Sequence, residues 1–362
     1  MVIEFSSTER MKAVVCYAPR KYVLEEKPVP KASDGEVVVR VGASGICGSD
    51  IKCYEGAEIL WGGPRPYVKP PVTPGHEFVG EVVELGPGAA ERTGLKIGDK
   101  SVAEQIVPCW ECRYCRTGKY WMCQVHDIFG FQGGIDDGGF AEYMKYPSRA
   151  IVHKVPNHMP DQRAAFIEPL SCAIHAVQRA RIELGEFVVI AGMGPLGLCM
   201  LQVAKLKNPV ELVALDIKDN RLRLAEKLGA TRTLNVARED AVRRVLEMTQ
   251  DYGCDVYIEA SASTSGVTQG LQMIRKLGRF VEFSVHGQPT TADWSIIGDR
   301  KELDILGSHL GPYSYPLAID YIERGVVNVD PIITHTFPLD RFEEAFEVSH
   351  RAENAIKVML KP

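Results

Sequence analysis

The 362 residues suffice for two domains of ordinary size, and 45% apolar with 25% charged residues is the balance of a chain that buries substantial cores in water. A net charge of -5 offers no general basic surface for nucleic acid or an anionic membrane. The most apolar long stretch, residues 188–204, is broken by Gly192, Gly194, Pro195 and Gly197 and does not read as a membrane span.

The N-terminal MVIEFSSTERMKAVV has no basic segment followed by an apolar run, so no secretory signal is read there and the cytoplasm is the expected compartment. In that reducing setting, ten cysteines point to thiols or metal ligands rather than structural disulfides. From residue 12 to about 155, Val-, Gly- and Pro-rich runs such as GEVVVRVGAS and FVGEVVELG predict short strands joined by turns. Between two of these runs lies GICGSD, with Cys47, Ser49 and Asp50. The Pro/Gly-rich residues 54–75 are expected to form an irregular surface loop, and PGHEF follows with His76 and Glu77.

Next comes CWECRYCRTGKYWMC, residues 109–123, with two, two and seven residues between its cysteines. A disulfide framework, a redox centre and a metal site are the three readings of such a run. Two-residue spacings let adjacent thiolates point at one ion, so Cys109, Cys112, Cys115 and Cys123 offer a tetrahedral four-thiolate site. Such a site is filled by its own ligands and is structural when it holds zinc; an iron–sulfur cluster is the competing occupant.

After about residue 164 the texture changes. FVVIAGMG reads as a buried strand entering a glycine turn, PLGLCMLQVAKLK as a helix, VELVALDI as the next strand and NRLRLAEKLGA as the next helix. CDVYIEAS and GRFVEFSV continue an alternation that predicts βαβ units and a parallel sheet. Gly192, Gly194, Leu196 and Gly197 lie in a G-x-G-x-x-G turn that opens a helix, a cradle for pyrophosphate. Asp216 ends the following strand, where a carboxylate accepts bonds from ribose hydroxyls and disfavours a 2′-phosphate, so NAD is expected over NADP. Arg221 is placed beside the adenine, and Ser284 and Val285, at the end of GRFVEFSV, are expected cofactor contacts. IEPLSCAIHA carries Glu168 at the entrance to this segment, and the last fifty residues are expected to rejoin the first domain.

GICGSD, PGHEF, the four-cysteine loop, GFAEY, EPLSCAIHA and GMGPLG occur in the order found in zinc-dependent medium-chain alcohol and polyol dehydrogenases. The resemblance runs from about Met11 to Pro362 and is similar in detail to the sorbitol and threonine dehydrogenase branch. It implies an α/β chain: a GroES-like, mainly β catalytic domain (residues 1–169 and 310–362) and a doubly wound, parallel-sheet Rossmann domain that binds NAD (residues 170–309). It also implies two zinc ions per chain. The catalytic ion would be bound by Cys47 and His76, with Glu77 as a direct or water-bridged ligand; Glu168 would complete the site or orient water and substrate. The structural ion would occupy Cys109, Cys112, Cys115 and Cys123. Ser49 would take the hydroxyl proton and Asp50 would support the ligands.

The sequence departs from the family at Lys52, where many relatives carry a relay histidine, and at Leu310, preceded by His309, where sorbitol dehydrogenases carry an arginine. The long loop adds Trp61 and Tyr67, aromatic groups suited to capping a smaller cleft. The expected substrate is a secondary hydroxyl of a small polyol, a tetritol such as erythritol or threitol, with sorbitol/xylitol-type substrates beside it. An L-threonine 3-dehydrogenase-like activity is the alternative, and a sugar-phosphate substrate is disfavoured because no basic cluster marks a phosphate pocket. A superfamily member without catalytic zinc, quinone reductase or structural protein, is the other class. Kinship implies a homo-oligomer, tetramer or dimer, with no nucleic-acid or membrane partner.

Overall fold

A computed structural model describes residues 9–134 and 136–362. Most of the N-terminal stretch read for a targeting signal thus lies outside the described residues. The chain divides into two compact units, residues 1–168 with 315–362, and residues 169–314.

The first unit is built around a seven-stranded sheet. Its central strand, Val37–Gly45, pairs antiparallel with Glu77–Leu85 on one side and with the C-terminal strand Lys357–Lys361 on the other. That last pairing closes the unit across almost the whole sequence. Val37, Val39 and Val41 meet Phe78, Val82, Phe129, Met144 and Tyr146 in the core. The β-branched and aromatic residues supply the apolar area that makes a strand-rich unit stable. The loop at residues 54–75 is not irregular throughout: Glu58–Trp61 forms a helical turn, and the Trp61 indole N–H donates to the Cys53 carbonyl at 2.8 Å. Val68 and Val72 anchor its far end in the core. The local Pro and Gly signals conceal that packing.

The second unit is a six-stranded parallel sheet in the spatial order Arg232–Asn235, Glu211–Asp216, Phe187–Ala191, Cys254–Glu259, Ile274–Glu282, Asp304–Gly307. In chain order this is 3-2-1-4-5-6, the doubly wound arrangement whose ligand crevice lies at the carboxyl ends of strands 1 and 4. Phe187–Ala191 is buried along its whole length, which explains its unbroken apolar run. The two outer strands, RTLN and DILG, carry too little apolar sequence to announce themselves. The unit begins at Pro169 and ends at Ser314, against expected boundaries at 169/170 and 309/310. Residues 310–314 stay with the parallel sheet because Gly311 lies directly on Ser171: a Cβ there would sit 2.2 Å from the Ser171 hydroxyl.

Candidate active site

Cys47 ends the central strand's exit and caps the helix Gly48–Glu55. His76 and Glu77 enter the neighbouring strand, Glu77–Leu85. Because Gly45 and Glu77 are paired across the sheet, the two segments bring Cys47, His76 and Glu77 together, with one ligand atom of each within 4.8 Å of the others. Asp50 lies against two of the three: its Oδ2 accepts from the Cys47 backbone N–H at 2.8 Å, and its Oδ1 lies 3.5 Å from His76 Nδ1. This leaves Nε2 for a ligand role, the orientation that a carboxylate behind an imidazole imposes. Ser49 Oγ is 3.4 Å from His76 Nε2. Burial disfavours the imidazolium of His76, yet the Asp50 carboxylate and the Cys47 sulfur outweigh it and raise the pKa well above the usual value. Phe131 lies against the His76 ring at 5.5 Å, and Tyr67 against Phe131 at 5.4 Å, so the long loop does send one of its aromatic rings toward the site.

One partner of this group is invisible in the sequence. Lys357, fully inside the unit, ion-pairs with the Glu77 carboxylate and donates to the Ile46 carbonyl at 3.0 Å. Burial works against its charge, but Glu77 and then Cys47 raise its pKa. A buried lysine of this kind needs a carboxylate within reach, and no local signal in a strand reading KVMLK foretells one. Glu168 is also buried, but its carboxylate is not in the three-residue group; it accepts a hydrogen bond from the Gln105 side-chain amide.

The four cysteines also converge, with all four sulfurs within 4.8 Å of one another. Backbone amides point at the sulfurs: Cys109 N–H donates to Cys123 Sγ at 3.3 Å, Cys112 N–H to Cys109 Sγ at 3.4 Å, and Gln124 N–H to Cys112 Sγ at 3.4 Å. The Gln124 amide first, then that of Cys115, brings the Cys112 thiol down to about 6. Amides directed at sulfur favour thiolates, the form that binds a metal, and all four cysteines are free thiols rather than disulfides.

In the second unit, a cleft of about 250 Å³ is lined by Gly192, Gly194, Asp216, Lys218, Arg221 and Ser261, among others. Gly192 has φ of +94°, and a Cβ there would lie 2.6 Å from the Ser261 backbone; a Cβ on Gly197 would lie 1.7 Å from the Gly192 carbonyl. Both positions therefore require glycine, and the helix Pro195–Lys205 starts with its N–H groups free for an anion, Leu196 half-buried in its first turn. Asp216 accepts from Met193 N–H at 2.7 Å and Lys218 N–H at 2.9 Å, which uses two of its roughly four acceptor positions. Arg221 lies 3.8 Å from Asp216. Ser284 and Val285 do not line this cleft: Ser284 is tied to Ala262 and Glu282 beyond the ends of strands 4 and 5, and Val285 is exposed. Beside them Glu259, Glu282 and His286 form a third close group of ligand-type side chains.

Residues 33–157 match the alcohol dehydrogenase GroES-like domain, and residues 195–324 match the zinc-binding dehydrogenase domain. The chain therefore belongs to the zinc-dependent medium-chain alcohol and polyol dehydrogenases, and it is an oxidoreductase of that family. It is 52% identical to an erythritol/L-threitol dehydrogenase of Mycolicibacterium smegmatis, over 98% of each chain. It is 37% identical to an L-threonine 3-dehydrogenase of Pyrococcus horikoshii, covering 98% of this chain and 100% of that one. A solved alcohol dehydrogenase from Escherichia coli CFT073, complexed with NADH, superposes with a TM-score of 0.86 at 28% identity, covering 98% of this chain and 99% of that one.

Proposed function

We propose that this enzyme oxidises a secondary hydroxyl of a four-carbon polyol, erythritol or threitol in type, to the ketose, using NAD and a catalytic zinc ion. The observation that carries the reaction is the convergence of Cys47, His76 and Glu77 beside a carboxylate that orients two of them. The donor set fits zinc: one thiolate, one imidazole and one carboxylate leave room for a substrate oxygen, as a catalytic site needs. The substrate class rests on the 52% identity to the erythritol/L-threitol dehydrogenase.

Zinc, when bound, supplies Lewis-acid polarisation of the hydroxyl oxygen. The protein's own groups do the rest. Asp50 fixes the backbone of Cys47 and sets its carboxylate behind the His76 ring. Ser49 Oγ, 3.4 Å from His76 Nε2, would take the hydroxyl proton as its own proton passes to solvent water. Phe131 and Tyr67 keep water from the His76 side. Lys357 neutralises Glu77, so that the ligand group does not concentrate two uncompensated negative charges. Asp216 accepts ribose hydroxyls with its remaining lone pairs and favours NAD over NADP. The four cysteines hold a structural zinc. We further infer a cytoplasmic homo-oligomer, tetramer or dimer.

The test is a panel of C3 to C6 polyols and L-threonine, each assayed with NAD and NADP by absorbance, on protein whose zinc is counted. Turnover of a tetritol with NAD and two zinc ions per chain is expected. Activity confined to L-threonine or to NADP, or a single zinc ion, contradicts the corresponding assignment.

A further inference from the structure

We propose that the four-cysteine loop positions Glu168 through a connected run of side chains, buried except at His153, which makes Tyr120, Tyr315 and Gln105 positioning residues for the reaction. This rests on the reading of Glu168 as an active-site carboxylate. Tyr120 sits in the short turn Tyr120–Met122, between the third and fourth cysteines. Its hydroxyl donates to Glu104 Oε2 at 2.7 Å. The other oxygen, Glu104 Oε1, lies 3.0 Å from His153 Nε2. The His153 ring stacks on Tyr315 at 5.2 Å between centroids and 17° between planes. The Tyr315 hydroxyl donates to Gln105 Oε1 at 2.8 Å and accepts from the Gln105 N–H at 3.2 Å. Finally, the Gln105 side-chain amide donates to Glu168 Oε1.

Tyr120, Glu104, Gln105, Tyr315 and Glu168 are all buried, and only His153 retains some exposure. In such a setting a hydrogen bond lost at one end leaves a buried group unpaired, so neighbours shift to recover it rather than wait for water. The bonded amide fixes the Gln105 side chain, because Oε1 faces Tyr315 and the NH₂ must then face Glu168. The carboxylate is thereby held by an arrangement whose far end is pinned by four thiolates. Carboxylates of a metal site are oriented by such outer partners.

The test compares Gln105→Leu and Tyr120→Phe as zinc-loaded enzymes, each confirmed to keep two zinc ions per chain. We expect kcat to fall about 10-fold in Gln105→Leu and about 3-fold in Tyr120→Phe, with KM changing less. The double variant should be no worse than Gln105→Leu alone, since both cut one chain. With cobalt at the catalytic position, the visible absorption band should shift in both variants. Multiplicative losses in the double variant, or wild-type kcat in Gln105→Leu while Glu168→Gln is impaired, overturn the proposal. If Glu168→Gln itself keeps wild-type turnover, the catalytic reading of Glu168 fails. The coupling is then judged by the crystallographic position of that carboxylate in Tyr120→Phe: displaced, it stands; unmoved, it is overturned.

Discussion

Two groups of ligand-type side chains in one unit differ in how they are assembled. The four-cysteine loop gathers its sulfurs from residues 109–123, and backbone amides of the same loop point at them. The other group joins Cys47 from one strand's exit to His76 and Glu77 from its neighbour, and its supporting residues Asp50 and Lys357 come from a helix and from the C-terminal strand. A loop that provides all four sulfurs, and the backbone amides aimed at them, from one short segment has the character of a local staple. A group that takes three ligand types from two segments, backed by a buried cation, depends on the tertiary path of the chain, and under the proposed function it is the less conspicuous of the two groups that carries the chemistry.

The largest expected effect that sharpens this contrast is Cys47→Ser. Removing one ligand should lower turnover on the order of 1,000-fold or more and drop the zinc count by one, while circular dichroism and NAD binding stay near wild type. Retained wild-type turnover would falsify the catalytic assignment of this group.

Next is Lys357→Met, which leaves the Glu77 carboxylate buried without its cation. A loss of about 3–5 kcal/mol in urea unfolding is expected. A loss below about 1 kcal/mol, the size of an exposed pair, contradicts the buried pairing.

A third effect tests the base of the cysteine loop. Arg149 donates to the Val107 carbonyl at 3.2 Å and to Asp127 at 2.9 Å, its own carbonyl accepts from the Trp110 indole at 2.8 Å, and Asp136 lies 3.5 Å away. Burial pushes the Asp136 carboxyl from 3.8 up to about 7, with Arg149 opposing and Asp127 and Asp137 adding to it. An acid whose folded pKa is raised keeps its proton longer when folded. Its contribution therefore declines as pH rises from the unfolded value near 3.8 to the folded value of about 7. Asp136→Asn should remove that decline and gain on the order of 2–4 kcal/mol relative to wild type between pH 5 and pH 8. Parallel stability–pH curves for the two proteins argue against it.

The smallest effect on turnover should come from Cys112→Ser. The variant is expected to lose one zinc ion and several degrees of Tm. Its kcat at 25 °C should stay within about 3-fold of wild type, no worse than Tyr120→Phe. A loss as deep as that of Cys47→Ser erases the distinction between the two groups.

Much of this was legible along the chain. The apolar run FVVIA and the turn GMGPLG marked a strand, a tight glycine turn and a helix because each depends on neighbours a few residues away. Asp216 was legible as the acidic end of the next strand, but not its bonds to Met193 and Lys218, which draw its carboxylate into the glycine turn. The place of Ser284 and Val285 after a strand predicts cofactor contact, but neither lines the cleft that Asp216 and Arg221 line. Gln105 carried no signal at all: an amide in SVAEQIVPC reads as an ordinary strand-end residue, and its partner Tyr315 is 210 residues away.

By itself the sequence determined the two kinds of domain, the glycine turn, the four-thiolate loop and the identity of Cys47, His76, Glu77 and Glu168 as ligand-type residues. Those features are written in short-range spacing, which the chain keeps wherever it folds. Only the tertiary structure decided which ligands meet. Strand pairing sets Glu77 against Gly45, and the C-terminal strand brings Lys357 within reach of the Ile46 carbonyl, 311 residues away in sequence. A buried charge must find its counter-charge, and which segment supplies it depends on the path of the whole backbone.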